Sequence, residues 1–380
     1  MADVDSVIIR PDARSWTAPE RAESAHDFHA GLEGYAPTAL AELPALAREL
    51  GVGRVFLKDE SDRLGLPAFK ILGASWAVAR TLADRFGMPI RGLSIATLRE
   101  ACAASGPLTL VTATDGNHGR AVAHMARELG VAARVYVPRG LTDSARGAIL
   151  AEGAELVEFD LEYDDVVAVA AASAEGRADE LVIQDTAWEG YTEVPGWIVD
   201  GYATLFTEAD EQLASVGAGG ADLVAVPVGV GSLAHAAVDY YRGTSGARPV
   251  LLSVEPVTAA CVLASLARDE TVSVDTSTPT IMKGLNCGTP SVTAWPSLSQ
   301  GLDAAVAVTD ADAHRAVGDL ASLGVSSGPC GAATLAGVRR LFENPDHASA
   351  LGLDASSVVV LINTEGLAAN PVEPSEGAER

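Results

Sequence analysis

The sequence predicts an α/β protein with two domains, each built on a mainly parallel sheet flanked by helices. Three observations lead to this fold class. Short β-branched runs recur along the chain, helical patterns that end on glycine separate them, and 380 residues are enough for two domains. Strands that alternate with helices form parallel sheets covered by helices on both faces.

Residues 1 to about 30 are polar, and we expect them to be irregular. The first predicted strand begins at residue 55. Strands are predicted at 55–57, 108–112, 134–137, 181–184, 223–228, 250–254 and 358–362. Helices are predicted at 118–130, 143–153, 232–243 and 331–345. The second helix is expected to begin on Asp143 as its N-cap, and the first to stop at Gly130. Residues 367–380 are rich in Pro, Glu and Ser and are expected to form a mobile tail.

The charge balance excludes one class of partner. A formal net charge of -25 at pH 7 opposes binding to a phosphate backbone, so no nucleic-acid partner is expected. No run of roughly 20 apolar residues is present to span a bilayer, and the acidic start MADVDSVIIR does not resemble a signal peptide. We therefore expect a cytoplasmic protein. The four cysteines form no CxxC motif and predict no metal site.

Lys70 is the first candidate functional residue. It lies in LGLPAFKILGASWA (64–77), between apolar residues and just before a helical pattern. Burial of a lysine favours its neutral amine, which Schiff-base chemistry requires. The structural alternative is a lysine whose aliphatic stem covers an amphipathic helix while its amine reaches water.

A second segment, TATDGNHGRAVAH (112–124), joins a predicted strand to a predicted helix. Asp115 and Asn117 would direct polar groups above the carboxyl end of the strand, where ligands of α/β proteins usually bind. A plain turn with a helix cap explains the same pattern. At the opposite end of the chain, Asn363 and Thr364 follow the last strand in VVVLINTEG (358–366), where a side chain can reach a ring nitrogen of a ligand.

The glycine-rich segment VPVGVGSLAHAA (226–237) predicts a phosphate-binding turn, because its backbone N–H groups and a helix N-terminus converge there. The same segment contains G-x-G-x-x-A in GVGSLA (229–234), and Glu255 follows the next strand at the place of a ribose-binding acid. The motif alone leaves two interpretations of the ligand site open. One is a dinucleotide site of an NAD-dependent oxidoreductase, and the other is a site for a single phosphate.

Taken together, the four segments resemble the fold type II (β-family, tryptophan synthase β-like) pyridoxal-phosphate enzymes, most closely the diaminopropionate ammonia-lyases. The resemblance extends from about Phe28 to Gly366. It is carried by the segments KDESDRLGLPAFKILGAS (58–75), TDGNHGRAVA (114–123), QDTAWEGYTEVPGWIVDGY (184–202), TIMKGLNCG (280–288) and the SG-x-x-GA pattern at 327–332.

The resemblance implies a cofactor, pyridoxal 5'-phosphate, and a role for each matched residue. Lys70 matches the Schiff-base lysine and Asn117 the residue that binds the cofactor hydroxyl. Gly229, Val230, Gly231 and Ser232 match the phosphate loop, and Asn363 or Thr364 the partner of the pyridine nitrogen. Asp115 and Asp185 match acidic groups beside the substrate, which makes Lys70, Asp115 and Asp185 the expected catalytic residues.

The resemblance also implies a reaction, β-elimination on a small amino acid, with 2,3-diaminopropionate as the expected substrate. A serine or threonine dehydratase and a β-replacement enzyme are the alternatives within the fold. It further implies a homodimer and a discontinuous large domain at 1–80 and 215–380, with a smaller domain inserted at 81–214. In this fold Cys261 and Cys287 are expected to lie close together, either as two thiols or as a pair.

Overall fold

A computed structural model describes residues 6–19, 25–114, 116–243 and 248–371. The strands within these ranges form two sheets. In chain order they are β1 Val7–Ile9, β2 Leu40–Glu42, β3 Arg54–Asp59, β4 Thr109–Ala113, β5 Ala132–Pro138, β6 Glu155–Phe159, β7 Glu180–Val182, β8 Leu223–Pro227, β9 Val250–Pro256, β10 Ala304–Val308 and β11 Val358–Asn363.

The larger sheet has seven strands in the order β1-β10-β9-β8-β11-β3-β2. Its five inner strands are parallel, and the short edge strands β1 and β2 run antiparallel to their neighbours. Strands β8, β9 and β11 are buried at every position, as expected for strands that helices cover on both faces. The smaller sheet has the order β6-β5-β4-β7, and all four strands are parallel. The predicted fold class is therefore confirmed.

Helices cover both sheets. They are α1 His26–Ala30, α2 Pro44–Leu50, α3 Lys70–Phe86, α4 Ile95–Ser105, α5 Asn117–Leu129, α6 Asp143–Ala151, α7 Tyr163–Ser173, α8 Glu193–Ser215, α9 Ser232–Gly243, α10 Cys261–Arg268, α11 Trp295–Gly301, α12 Asp310–Ser322, α13 Pro329–Phe342 and α14 Pro345–Ala350, with 3₁₀ turns at Pro11–Ser15 and Lys283–Leu285. One hydrophobic cluster joins α3, α5 and α8 to strands of both sheets, and a second packs α12 and α13 on the other face of the larger sheet.

Two local predictions were wrong, and a third was wrong for the described part of its range. The N-terminal 30 residues are not irregular throughout, because β1 and α1 lie there. Helix α6 is capped by Thr142, whose hydroxyl accepts a hydrogen bond from the Ala145 N–H, so Asp143 is the first helical residue rather than the cap. The predicted mobile tail at 367–380 packs on the protein as far as Asn370, which is buried and donates a hydrogen bond to the Ile281 carbonyl, and residues 372–380 lie outside the described residues.

No helix in the described part of the chain is long and apolar enough to span a bilayer.

Candidate active site

A cavity of about 470 Å³ lies where the carboxyl ends of strands from both sheets meet. Its wall includes the residues that follow β4, β7, β8 and β11, together with the start of α3. Ligands of parallel α/β sheets bind at this edge because the loops there converge. The cavity therefore brings together segments that are distant in sequence, among them Lys70, Asn117, Asp185 and Thr364.

Lys70 is the first residue of α3, and a short backbone ladder fixes its position. The Phe69 N–H donates to the Thr364 carbonyl at 3.2 Å, and the Gly366 N–H donates to the Pro67 carbonyl at 3.0 Å. Since Thr364 directly follows the central strand β11, the ladder ties the lysine to the centre of the larger sheet. The Lys70 amine then donates a hydrogen bond of 2.8 Å to Asp185 Oδ2.

Asp185 follows β7 and lies on the smaller-sheet side of the cavity. Burial alone would raise the pKa of its carboxyl, but the contacts with His118 and Lys70 lower the pKa to about 2. The group is therefore a carboxylate across the physiological pH range. Its backbone carbonyl accepts a hydrogen bond of 3.3 Å from the Ser232 hydroxyl, which connects this aspartate to the glycine-rich turn.

His118 packs behind Asp185 and is 3% exposed. Its Nε2 lies 2.9 Å from the Ile183 carbonyl, which can only accept, so Nε2 carries the proton. Burial lowers the pKa of this histidine below its ordinary value, which leaves the ring neutral near pH 7. Its Nδ1 then faces Asp185 Oδ2 at 3.9 Å without a hydrogen bond among the described residues.

Asn117 begins α5 and reaches across the cavity to the larger sheet. Its side-chain amide donates to Glu365 Oε2 at 3.2 Å, while Glu365 Oε1 accepts the Cys330 backbone N–H at 3.2 Å. Glu365 is 4% exposed. A buried carboxylate thus orients the amide of Asn117 toward the cavity.

The glycine-rich turn runs from β8 through Val228–Gly231 into α9 and lines the cavity with its backbone. Gly231 has a φ of +99°, which an L side chain rarely adopts. A Cβ on Gly229 would lie 2.9 Å from Cys287 Sγ and 3.0 Å from the Gly284 carbonyl. The first N–H groups of α9 have no partner within the helix, so this turn presents donors to an anion.

Comparison with known proteins identifies the family of this chain and its cofactor. A family model described as pyridoxal-phosphate dependent enzyme matches residues 32–365. The diaminopropionate ammonia-lyase of Escherichia coli strain K12 is 37% identical over 355 residues, which cover 91% of this chain and 88% of that protein. The chain belongs to the pyridoxal-phosphate-dependent enzymes. Its cofactor is pyridoxal 5'-phosphate, and the family resemblance seen in the motifs is confirmed.

Two further relatives support this membership. The diaminopropionate ammonia-lyase of Salmonella typhimurium is 38% identical over 353 residues, covering 89% of this chain and 87% of that protein. The crystal structure of the holo diaminopropionate ammonia lyase from Escherichia coli superposes with a TM-score of 0.85 at 35% identity. That superposition covers 95% of this chain and 94% of the other.

The residues of the cavity fit the cofactor of the pyridoxal-phosphate enzymes. The turn at Gly229–Ser232 supplies backbone donors for a phosphate, and its two glycines keep the space open. Lys70 would supply the amine that the aldehyde of the cofactor requires. The chain has three lysines. Lys58 is fully buried against Glu208, so only Lys70 and the exposed Lys283 line the cavity.

Among the predicted site residues that the structure describes, eight lie in the cavity wall and one lies behind it. Lys70, Asn117, Asp185, Gly229, Val230, Gly231, Ser232 and Thr364 line it. Asn363 lies behind the wall, fully buried. Its amide nitrogen donates to Asp59 Oδ1 and to the Ser326 carbonyl, and its oxygen accepts from Ser327. Asp115 lies outside the described residues.

The environment of Glu255 argues against a dinucleotide site, in which this residue would bind a ribose. Its carboxyl is fully buried and accepts the backbone N–H groups of Val262 and Leu263 at 2.8 and 2.7 Å. A ribose therefore cannot reach it. The group caps α10 instead, and the dinucleotide interpretation of GVGSLA was wrong.

Cys261 and Cys287 lie on either side of the glycine turn. Cys261 Sγ lies 3.6 Å from the Gly229 carbonyl, and Cys287 Sγ is the nearest atom to a Cβ built on the same glycine. The structure describes both residues as thiols rather than as a disulfide. Whether the two can pair stays a prediction.

His118, Tyr202 and Glu365 are three wall residues with contacts to the site that were not among the predicted site residues. Glu365 follows Thr364 at the end of the central strand, so the rule that pointed to Thr364 applies equally to its neighbour. His118 lies inside the DGNHG motif, so a segment already identified as functional contained it. Tyr202 is the last residue of the matched segment at 184–202 and lies inside α8, but no local pattern assigned it a role.

Proposed function

We propose that this chain is a diaminopropionate ammonia-lyase. It would convert one 2,3-diaminopropionate and one water into one pyruvate and two ammonia. The observation that carries the proposal is the ionised Asp185 beside Lys70 on the cavity wall. The similarity to enzymes that carry this name over about nine-tenths of the chain supports it.

The charge of Asp185 suits a substrate with an ammonium on its β-carbon. With a pKa near 2, the carboxylate accepts hydrogen bonds and does not donate a proton at neutral pH. A β-ammonium already carries the proton with which it leaves as ammonia, so it needs a negatively charged partner and no acid. Asp185 is therefore better suited to binding this ammonium than to the acid role that the sequence also allowed.

A serine or threonine substrate needs a proton donor at its β-substituent instead of a negatively charged partner. Its β-hydroxyl leaves as water only when it receives a proton, and an ionised Asp185 cannot supply one. This difference favours diaminopropionate over the dehydratase and β-replacement alternatives.

Lys70 would hold the cofactor and would accept the proton from the substrate Cα on one face. Bound pyridoxal phosphate acts as the sink for the electrons that this proton leaves behind. For the opposite enantiomer, we propose Asp115 as the acceptor on the other face. Asn117, held by Glu365, would orient the cofactor ring, and Thr364 rather than Asn363 would face its nitrogen, because only Thr364 lines the cavity.

The test is the ratio of products. Purified protein with pyridoxal phosphate is given DL-2,3-diaminopropionate, and pyruvate and ammonia are assayed in the same sample. Two ammonia per pyruvate are expected, with a far lower rate on DL-serine, which yields one. A higher kcat/KM on serine or threonine than on diaminopropionate would refute the assignment of the substrate.

Three broader features belong to the same proposal. We propose a large domain at 1–80 and 215–380 with a smaller domain at 81–214, whose approach excludes water from the cavity. We propose a homodimer, as is usual in this family, and a cytoplasmic location. The division between the domains is supported by the separate sheets that β4–β7 and the remaining strands form.

A further inference from the structure

We propose that the Tyr202 hydroxyl is a positioning group for Lys70: it donates a hydrogen bond to the lysine nitrogen and favours the neutral amine that accepts the substrate proton. This inference rests on the proposed function, since it concerns how Lys70 acts as a base. Tyr202 lies on α8, more than a hundred residues from Lys70 in sequence.

Two glycines bring the tyrosine to the lysine. A Cβ on Gly73 of α3 would lie 2.5 Å from Tyr202 Cε1 and 2.8 Å from Cζ. A Cβ on Gly201 of α8 would lie 2.8 Å from the Gly73 Cα. The two helices therefore cross at a distance that only glycine allows. The tyrosine ring lies in this crossing, tilted by 51° against the Phe69 ring with the centroids 4.7 Å apart, and within one helical turn of Lys70.

No hydrogen bond among the described residues explains the Tyr202 hydroxyl as a structural group. The side chain is fully buried, yet its oxygen makes no hydrogen bond with any described residue, and the residue forms part of the cavity wall beside Lys70. Leaving a buried hydroxyl without a partner is costly, and phenylalanine would fill the same space. A hydroxyl retained here is explained by a partner that it meets during the reaction.

The chemistry identifies that partner. Burial raises the pKa of Tyr202 well above its ordinary value, while the neighbouring Lys70 opposes the shift, so the hydroxyl stays protonated and can donate. Asp185 accepts a hydrogen bond from the lysine and thereby favours the ammonium, which cannot act as a base. A donor on the other side favours the neutral amine. Tyr202 would thus counter Asp185 at the same nitrogen.

The test compares Tyr202→Phe with Tyr241→Phe in the holoenzyme. Tyr241 is a matched control, because it is also buried but donates its hydroxyl to Asp210 and does not line the cavity. Each protein is assayed on the separate D and L enantiomers of diaminopropionate. The visible absorbance of the lysine-bound cofactor is titrated with pH in the absence of substrate.

In Tyr202→Phe we expect kcat to fall about tenfold for the enantiomer whose proton Lys70 accepts, with less than about a twofold change for the other. The midpoint of the absorbance titration should move up by about 0.5–1 pH unit, since a donor to the unprotonated nitrogen has been removed. Tyr241→Phe should behave as wild type in both measurements.

Equal losses on both enantiomers with an unmoved midpoint would overturn the inference, as would a raised dissociation constant of the cofactor as the only effect. Failure of the proposed function looks different. In that case the wild-type protein would release no pyruvate from either enantiomer, whereas the absorbance midpoint of Tyr202→Phe would still report on its contact with Lys70.

Discussion

Replacing Asp185 with asparagine separates charge from shape at the proposed ammonium site. Asparagine is nearly isosteric and keeps a hydrogen-bonding oxygen, but it cannot offer a carboxylate to a cation. The side chain of Asp185 is 11% exposed, so solvent screens its interaction with a bound ammonium only weakly. We therefore expect this substitution to affect substrates according to the charge on their β-carbon.

The magnitude follows from the type of contact. Asp185 Oδ2 lies 2.8 Å from the Lys70 amine, which shows that a cationic nitrogen fits at hydrogen-bond distance from this oxygen. A hydrogen bond to a charged group contributes about 1.5–3 kcal/mol, and about 1.4 kcal/mol corresponds to a factor of ten. The value of kcat/KM for diaminopropionate should fall about 10- to 100-fold in Asp185→Asn, whereas that for DL-serine should change less than about threefold.

The assay is the initial rate of pyruvate release from each substrate between pH 6 and 9. Since the pKa of Asp185 is about 2, the loss should be the same across this range. Glu162→Gln is the matched control, because it neutralises an exposed carboxylate elsewhere on the cavity wall. An equal loss on both substrates, or the same selective loss in Glu162→Gln, would refute the reasoning.

Three other substitutions test the supporting structure. In Gly229→Ala, the new methyl group would meet the Gly284 carbonyl at 3.0 Å, so the dissociation constant for pyridoxal phosphate, measured by absorbance titration, should rise at least about tenfold. Glu208 is fully buried and pairs with Lys58 and Arg63, so Glu208→Gln should lower the free energy of unfolding in urea by about 3–5 kcal/mol. Because the pKa of Glu208 is lowered to about 2, this stabilisation is complete above the unfolded pKa of about 4.3 and is lost as pH falls toward 2. Burial raises the pKa of Glu255 to about 8. Its contribution to the free energy of unfolding is therefore complete below about pH 4 and declines as pH rises to 8. We expect Glu255→Gln to flatten that decline. A pH dependence of unfolding that is unchanged in these two variants would contradict the assignment of their buried charges.

Most inner strands could be predicted from the sequence, but the alanine-rich inner strand β10 and the edge strands β1, β2 and β6 were not. The runs at β8, β9 and β11 are continuous and β-branched, which is the pattern of a central parallel strand. By contrast, β1 and β2 have three residues each and pair only along one edge of the larger sheet. Their stability comes from that pairing, which no local pattern encodes.

The site was predictable where one segment carries several constrained residues. Local patterns singled out Lys70 and the turn at Gly229–Ser232, and both line the cavity, whereas their roles came only from the resemblance to the family. The position of Asn363 behind the cavity was not predictable, since its partners Asp59 and Ser327 come from other parts of the chain. The position of Tyr202 beside Lys70 was not predictable for the same reason, because only the crossing of α3 and α8 brings the two residues together.

The central claim is that Lys70 holds pyridoxal phosphate and that the cofactor acts on diaminopropionate. The most direct measurement is the visible spectrum of purified wild type, Lys70→Ala and Lys283→Ala with pyridoxal phosphate, recorded before and after addition of DL-2,3-diaminopropionate, with pyruvate assayed. Lys283→Ala is the control, because it removes the other lysine that lines the cavity. We predict a protein-bound absorption band and pyruvate release in wild type and Lys283→Ala, and neither in Lys70→Ala. An unchanged band with undiminished pyruvate release in Lys70→Ala would contradict the account.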